Sequence, residues 1–311
     1  MLDLALGTGL GPMVLSFRPV VSVVSGAGYA GSLYQCTSTG QWTADGVAIG
    51  GETGAIFTMR AEYEGAIIRC GASNGIRKWV PADLASIVAW WDASAEAEIS
   101  STAGAVQSWT DRLAGLSLVA PGTAANQPAT GSETLNGLNT LVFGGNDRLT
   151  RADALGFSGN PAITVAIVSR PVTLGVGAVQ FGAASGVGGQ VIGFATGDTS
   201  FRYNNGAQQF NSGSTDGSSW FATLFARASG ATYGGGQCWR NNVSLSQASA
   251  VNPANTPALA DENMTCGCIV SSNGSLTHVQ ETIAEVIVFG TVLTVAERTA
   301  LWAYHQAKWG L

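Results

Sequence analysis

Apolar and polar positions along this chain group into short runs. Ile163–Ser169 reads ITVAIVS, Gln190–Ala195 QVIGFA, Trp220–Ala226 WFATLFA and Thr282–Phe289 TIAEVIVF. Runs of this length, rich in β-branched and aromatic residues, predict strands. Between them Asn204-Asn205-Gly206, Asp216-Gly217, Asn241-Asn242 and Asn273-Gly274 predict turns, because Asn and Gly accept the left-handed backbone of tight hairpins. Many short strands joined this way mean an all-β sandwich or barrel.

Helical periodicity is confined to the end, LTVAERTALWAYHQAKWGL. Thr294 and Glu297 form a T-x-x-E capping box, which satisfies two otherwise free amides. Val295, Trp302 and Trp309 recur every seven residues with Leu301 and His305 beside them, predicting an apolar stripe that covers one end or edge of the last sheet. Gly310 is a natural stop.

Composition narrows the function. The chain has 311 residues and a net charge of −6, and its only lysines are Lys78 and Lys308. Nucleic acid is excluded as a partner, because phosphate binding needs a basic stripe. Asp3 precedes any base, and Gly7, Gly9, Gly11 and Pro12 interrupt the apolar N-terminus. Neither a signal peptide nor a membrane insertion is therefore expected. The chain is expected to be made in the cytoplasm and to work outside only if lysis releases it. The change in composition near SNGIRKWVPADL predicts a boundary at about residue 79. The expected division is an N-terminal segment 1–18, a candidate particle anchor, then modules 19–78 and 79–311.

In the smaller module Cys36, Trp42 and Cys70 follow one another, and Asp45-Gly46 makes a hairpin turn. Cysteine, tryptophan, cysteine in this order is the core pattern of immunoglobulin-like sandwiches. The stretch QWTADGVAIGGETGAIFTM resembles the Ig-like repeats of bacterial surface and phage virion proteins. That resemblance leaves two states open for Cys36 and Cys70. A disulfide would add roughly 3–4 kcal/mol by closing the loop; the alternative is a pair of reduced core thiols.

The larger module carries AWWDAS, then VQSWTDR, then LNGLNTLVFGGNDRLT, and ends in ETIAEVIVFGTVLTVAERTALWAYHQAKWGL. These landmarks resemble the concanavalin A-like (laminin-G-like) jelly rolls of phage and bacterial adhesion proteins. The implied fold class is a small Ig-like β-sandwich followed by a jelly-roll sandwich with a C-terminal helix. Together with the missing leader, the two modules resemble a head or tail spike of a phage or gene transfer agent. The resemblance implies a homo-oligomer on the virion surface, held to a capsid or spike-base protein through its N-terminal region. Its expected role is to bind a bacterial surface (capsular) polysaccharide without catalysis; the alternatives are a polysaccharide-degrading spike enzyme or a structural capsid decoration protein.

No E-x-D-x-x-E occurs to place two carboxylates about a glycosidic bond. Glu281 and Glu285, four apart, should share one strand face as a solvated or hydrogen-bonded pair. His278 and His305 are the only histidines, and His305 falls on the helix stripe. Cys266-Gly-Cys268 has no second pair to complete a zinc site, so no metal and no cofactor is expected. Asn146 and Asp147 in GGNDRLT offer oxygens to calcium, but a turn cap is the simpler role.

Glycan sites combine an aromatic face with planar polar groups, usually on loops. Two segments fit: FRYNNGAQQFN, with Arg202, Tyr203, Asn204, Asn205 and Gln208, and GQCWRNN, with Trp239, Arg240 and Asn241. A plain hairpin is the competing reading of each, since alternation sends Trp239 and Arg240 to opposite faces. Trp90 and Trp91 are divided likewise, so WWDAS should open the fold, with Asp92 as a turn or strand-end partner.

Overall fold

The structure, a computed structural model, describes residues 19–172, 178–182, 191–195, 200–203, 208–211, 219–246, 249–251, 254, 256, 258–270 and 276–311. The chain is all-β, a small sandwich followed by a large one, with a single α-helix among the described residues, Val295–Trp309. The expected N-terminal segment lies outside the described residues.

Two three-stranded sheets make the small sandwich. One contains Val21–Ser25, Leu33–Cys36 and Ile56–Thr58, the other Val47–Ala48, Trp42–Ala44 and Ile68–Cys70. Asp45 and Gly46 turn with φ of 48° and 84°, the left-handed pair of a two-residue hairpin. Trp42 is fully buried among Tyr34, Phe57, Met59 and Ile68, and its Nε1 donates to Gly54 O at 2.8 Å. Cys36 and Cys70 are both buried, as free thiols. Burial pushes the Cys70 thiol up to about 12. Burial also raises the Cys36 thiol, but hydrogen bonds from Cys70 and from Ser38 outweigh it and leave that thiol below its ordinary range.

In the large sandwich the first sheet runs Val243–Leu245, Gln237–Arg240, Phe221–Arg227, Ile163–Pro171, Glu281–Phe289. Beyond Glu281–Phe289 the sheet divides: Ile87–Asp92 pairs with its second half and Leu138–Phe143 with its first. The facing sheet is centred on Met264–Cys266, with Leu149–Arg151 on one side and Val179–Gly182 on the other. Ala129–Leu135 joins the two sheets, pairing with Leu138–Phe143 and, at Ala129, with Ala105. Trp91, Trp109, Phe143, Phe181, Phe194 and Phe225 fill the space between them.

The helix covers the outer face of the first sheet rather than its end or edge. Leu301 and Tyr304 pack on Trp90, Ala166, Leu224 and Ile287, and Trp309 packs on Val168, Ala222 and Ala284. Ile163–Ser169, Phe221–Arg227 and Glu281–Phe289 are therefore buried on both faces. That is why these strands read as continuous apolar runs instead of alternating. The capping box forms: Thr294 Oγ1 accepts from Glu297 N and Thr294 N donates to Glu297 Oε2 at 2.7 Å. Gly310 ends the helix at φ 71°. Val295 departs from the expected stripe, being 70% exposed; the buried stripe is Leu301, Tyr304, His305, Lys308 and Trp309.

The same outer face receives the small sandwich. Tyr29 meets Tyr304 edge-on at 5.1 Å and its hydroxyl donates to Trp79 O, while Val80 joins the cluster around Trp90. At this seam Lys308 Nζ donates to Asp92 Oδ2 at 2.6 Å and Glu64 Oε2 at 2.8 Å. Arg112 NH1 donates to the same two carboxylates at 2.8 and 3.0 Å, and its NH2 to Ala61 O at 2.6 Å. Two anions and two cations thus close a neutral cluster with almost no solvent access.

Candidate functional site

WWDAS is a structural device. Trp91 enters the sandwich core, where its Nε1 donates to Leu116 O at 3.1 Å. Trp90 faces outward beneath the helix, with Arg112 stacked at 4.2 Å over its ring. Asp92 does cap the strand end, since its Oδ1 accepts from Ser94 N at 3.0 Å and Ser94 Oγ at 2.7 Å. Its other oxygen binds the seam cations, which local sequence did not disclose. Burial acts to raise the Asp92 carboxyl, but Lys308 and Arg112 prevail and hold it below the usual range.

Glu281 and Glu285 are a correction. Both are buried, at 2% and 0% exposure, so neither is solvated. The register against Ile163–Pro171 shifts between Val168 and Ser169. Ile283 and Val286 consequently both reach the core, while Ala284 packs on Trp309 and Glu285 bonds to it. Alternation from Ile283 puts Glu281 on the core face, opposite Glu285. Glu285 is enclosed by donors: Trp90 Nε1 at 2.7 Å, Tyr304 Oη at 2.6 Å and Trp309 Nε1 at 3.0 Å. Burial, followed by the charge of Glu285, pushes the Tyr304 hydroxyl well above its ordinary range. The two glutamates cannot flank one glycosidic bond from opposite faces of a strand.

Asp147 is a turn cap, its Oδ2 accepting from Gly144 N at 2.6 Å, and Asn146 is exposed beside it. Among the described residues, no three His, Cys, Asp or Glu side chains group to hold a metal. Cys266 and Cys268 are buried on either side of Gly267. Burial raises the Cys266 thiol well above its ordinary value and brings Cys268 to about 11.

The two glycan segments fare differently. Ser200–Tyr203 and Gln208–Asn211 pair antiparallel with Tyr203 opposite Gln208. Asn204 and Asn205 lie outside the described residues, as do the side chains of Arg202, Tyr203 and Gln208. GQCWRNN is a hairpin, with Asn241 and Asn242 left-handed at φ 48° and 63°. Asn241 Oδ1 accepts from Ala222 N at 3.0 Å, which ties the turn to the next strand. Trp239 and Arg240 do not form one platform: Trp239, opposite Leu224, faces the helix, and Arg240 stands 4.9 Å over Phe221 on the other side.

Trp239 nevertheless lies at a cleft between helix and sheet. Ala166, Ala222, Leu224, Trp239, Asn242, Arg298, Leu301, Trp302 and His305 line about 300 Å³ of atom-free space that opens to solvent. Most of that space is open to solvent, and the cleft itself has room for roughly one water. The Arg298 guanidinium lies 4.2 Å over the Trp239 ring, and its NH1 donates to Leu293 O at 2.8 Å. Trp302 stays partly exposed. His305 is buried with Nε2 3.2 Å from Glu285 Oε2, without hydrogen-bond geometry. Arg298, Trp302 and His305 recur at helical spacing, so one face carries all three. That spacing was the available signal, but it reads equally as packing until the facing strand is known. Two indoles, a guanidinium, an amide and an imidazole can hold and orient a polar ring or its substituent.

No protein-family model matches the chain, and no curated protein matches it. Among solved structures it is similar to a domain of an extracellular arabinanase from Geobacillus stearothermophilus, solved with arabinotriose. The match has a TM-score of 0.47 and 13% identity, and covers 70% of this chain and 98% of that one. It is also similar to a sialidase of Trypanosoma rangeli, at TM-score 0.43 and 14% identity over 75% of this chain, which spans only 34% of the sialidase. A third similar structure is a botulinum neurotoxin binding domain, at TM-score 0.43 and 11% identity, covering 70% of this chain and 52% of that one.

Proposed function

We propose that this protein is a non-enzymatic adhesion protein whose large sandwich binds a bacterial surface polysaccharide. The observation that carries the reading is the helix–sheet cleft, where aromatic faces and planar polar groups meet at a solvent-open rim. The enclosure of Glu285 and the opposite orientation of Glu281 favour binding over hydrolysis. In this reading the protein belongs to a phage or gene-transfer-agent particle, which the resemblance of both modules' sequence landmarks supports. It is made in the cytoplasm, released by lysis and held as an oligomer to a capsid or spike base through residues 1–18. Many copies on one particle convert weak single-site binding into firm attachment.

The test is adsorption of the full-length chain to encapsulated cells and to the same cells stripped of capsule. The expected result is binding to the encapsulated cells, weakened by Trp302→Ala. Equal binding to both cell types sinks the reading, and release of reducing ends from purified capsule replaces it with an enzyme.

A further inference from the structure

We propose that the group received by the cleft is a carboxylate, so that the bound polysaccharide is an acidic one; this rests on the glycan-binding reading above. The chain carries a net charge of −6, yet the charge at the cleft is the cation Arg298. Arg60, Arg77, Arg112, Arg151 and Arg170 each pair with a protein carboxylate. Arg298 has none among the described residues; its partners are the Leu293 carbonyl and the Trp239 ring. Those two contacts fix the plane of the guanidinium and leave its other donors without an acceptor among the described residues. A planar, pre-oriented fork of this kind matches a carboxylate, which takes two parallel N–H bonds.

Size and charge agree. The cleft admits roughly one water, too little for a sugar ring but enough for a short substituent in that water's place. The ring then rests outside, against the exposed part of Trp302, with Asn242 at the rim. Among the described residues no Asp or Glu lines the cleft, so an entering anion meets no like charge there. Glu285, the acid nearest His305, has both oxygens engaged by Trp90, Tyr304 and Trp309.

The experiment presents the full-length chain to an array of acidic and neutral bacterial polysaccharides. A polymer that binds is then offered again with its carboxyl groups reduced to primary alcohols. Bound polymers are expected to carry carboxylates, and reduction to weaken binding about tenfold or more. Arg298→Gln should remove the preference for the native over the reduced polymer, while Trp302→Ala weakens binding to both. If neutral polymers bind, or the reduced polymer binds as tightly as the native one, the carboxylate assignment falls and glycan binding stands. If no polymer binds, both fall. The reduced polymer needs no variant, so the outcome does not depend on Arg298→Gln folding.

Discussion

Single side chains carry the energetics of the seam. Of two lysines in the chain, Lys308 is buried between Asp92 and Glu64. Removing one partner leaves an uncompensated buried charge, so Lys308→Met should cost about 3–5 kcal/mol, read as a lower midpoint in urea unfolding. The pH dependence begins with the folded carboxyl of Asp92, which burial raises but Lys308 and Arg112 together hold below its unfolded value. Its contribution is complete above the unfolded value of about 3.9 and is lost as pH falls through the lower folded value. Lys308 is shifted the other way: burial lowers it, but Asp92 and Glu64 prevail and raise it. Its contribution is complete below an unfolded value of about 10.4 and is lost as pH rises through the folded one. The buried thiols of Cys70, Cys266 and Cys268, raised above an unfolded value of about 8.5, also withdraw stability as pH rises, so Lys308→Met should make the alkaline limb of the denaturant midpoints shallower without abolishing it. Trp239 lines the cleft of the proposed binding site yet is a poor probe of it. Its indole is 8% exposed beneath Arg298, so Trp239→Ala should cost about 3–5 kcal/mol of stability. Trp302 and Arg298, nearer the solvent, are the cleaner probes of the proposed binding.

At the level of elements, turns and glycines set the register. Ala103 turns between Ile99–Thr102 and Ala105–Thr110 with φ 52°, where an alanine Cβ is strained. It is exposed, so Ala103→Gly should stabilise the protein by about 0.5–1 kcal/mol, measured as a rise in the denaturation midpoint. Gly267 is the opposite case: at φ 86°, a Cβ there would sit 2.3 Å from Phe143 Cδ1 and 3.0 Å from Asp147 O. Gly267→Ala should therefore be destabilising, and the same melts decide it. The bulge near Ala284 sets the two acids, because one extra residue turns Glu281 and Glu285 to opposite faces.

On the scale of the whole molecule, the small sandwich is docked and not tethered. Glu64 holds Arg112, Lys308 and, through Oε1, the amide of Ala30 at 2.9 Å, while Tyr29 and Val80 share an apolar cluster with Trp90 and Tyr304. Both sandwiches should consequently unfold in one calorimetric transition. Glu64→Gln, which leaves the two cations facing a single carboxylate, should lower that transition or split it in two. A wild-type chain that already melts in two separate steps contradicts the docking.

The all-β class, the terminal helix with its capping box, the outward and inward split of Trp90 and Trp91 and the Asn241-Asn242 turn were legible in the sequence. Each depends on local chemistry: strand alternation, turn conformation or satisfaction of the first helical amides. The seam was not legible, because Glu64, Asp92, Arg112 and Lys308 are far apart in the chain and only packing brings them together. Nor was the cleft, where Arg298 and Trp302 on the helix meet Trp239 and Asn242 on a hairpin. Sequence set which faces each strand and helix would offer, and tertiary structure decided which faces meet, since burying a charge or building a pocket requires groups from separate elements at once.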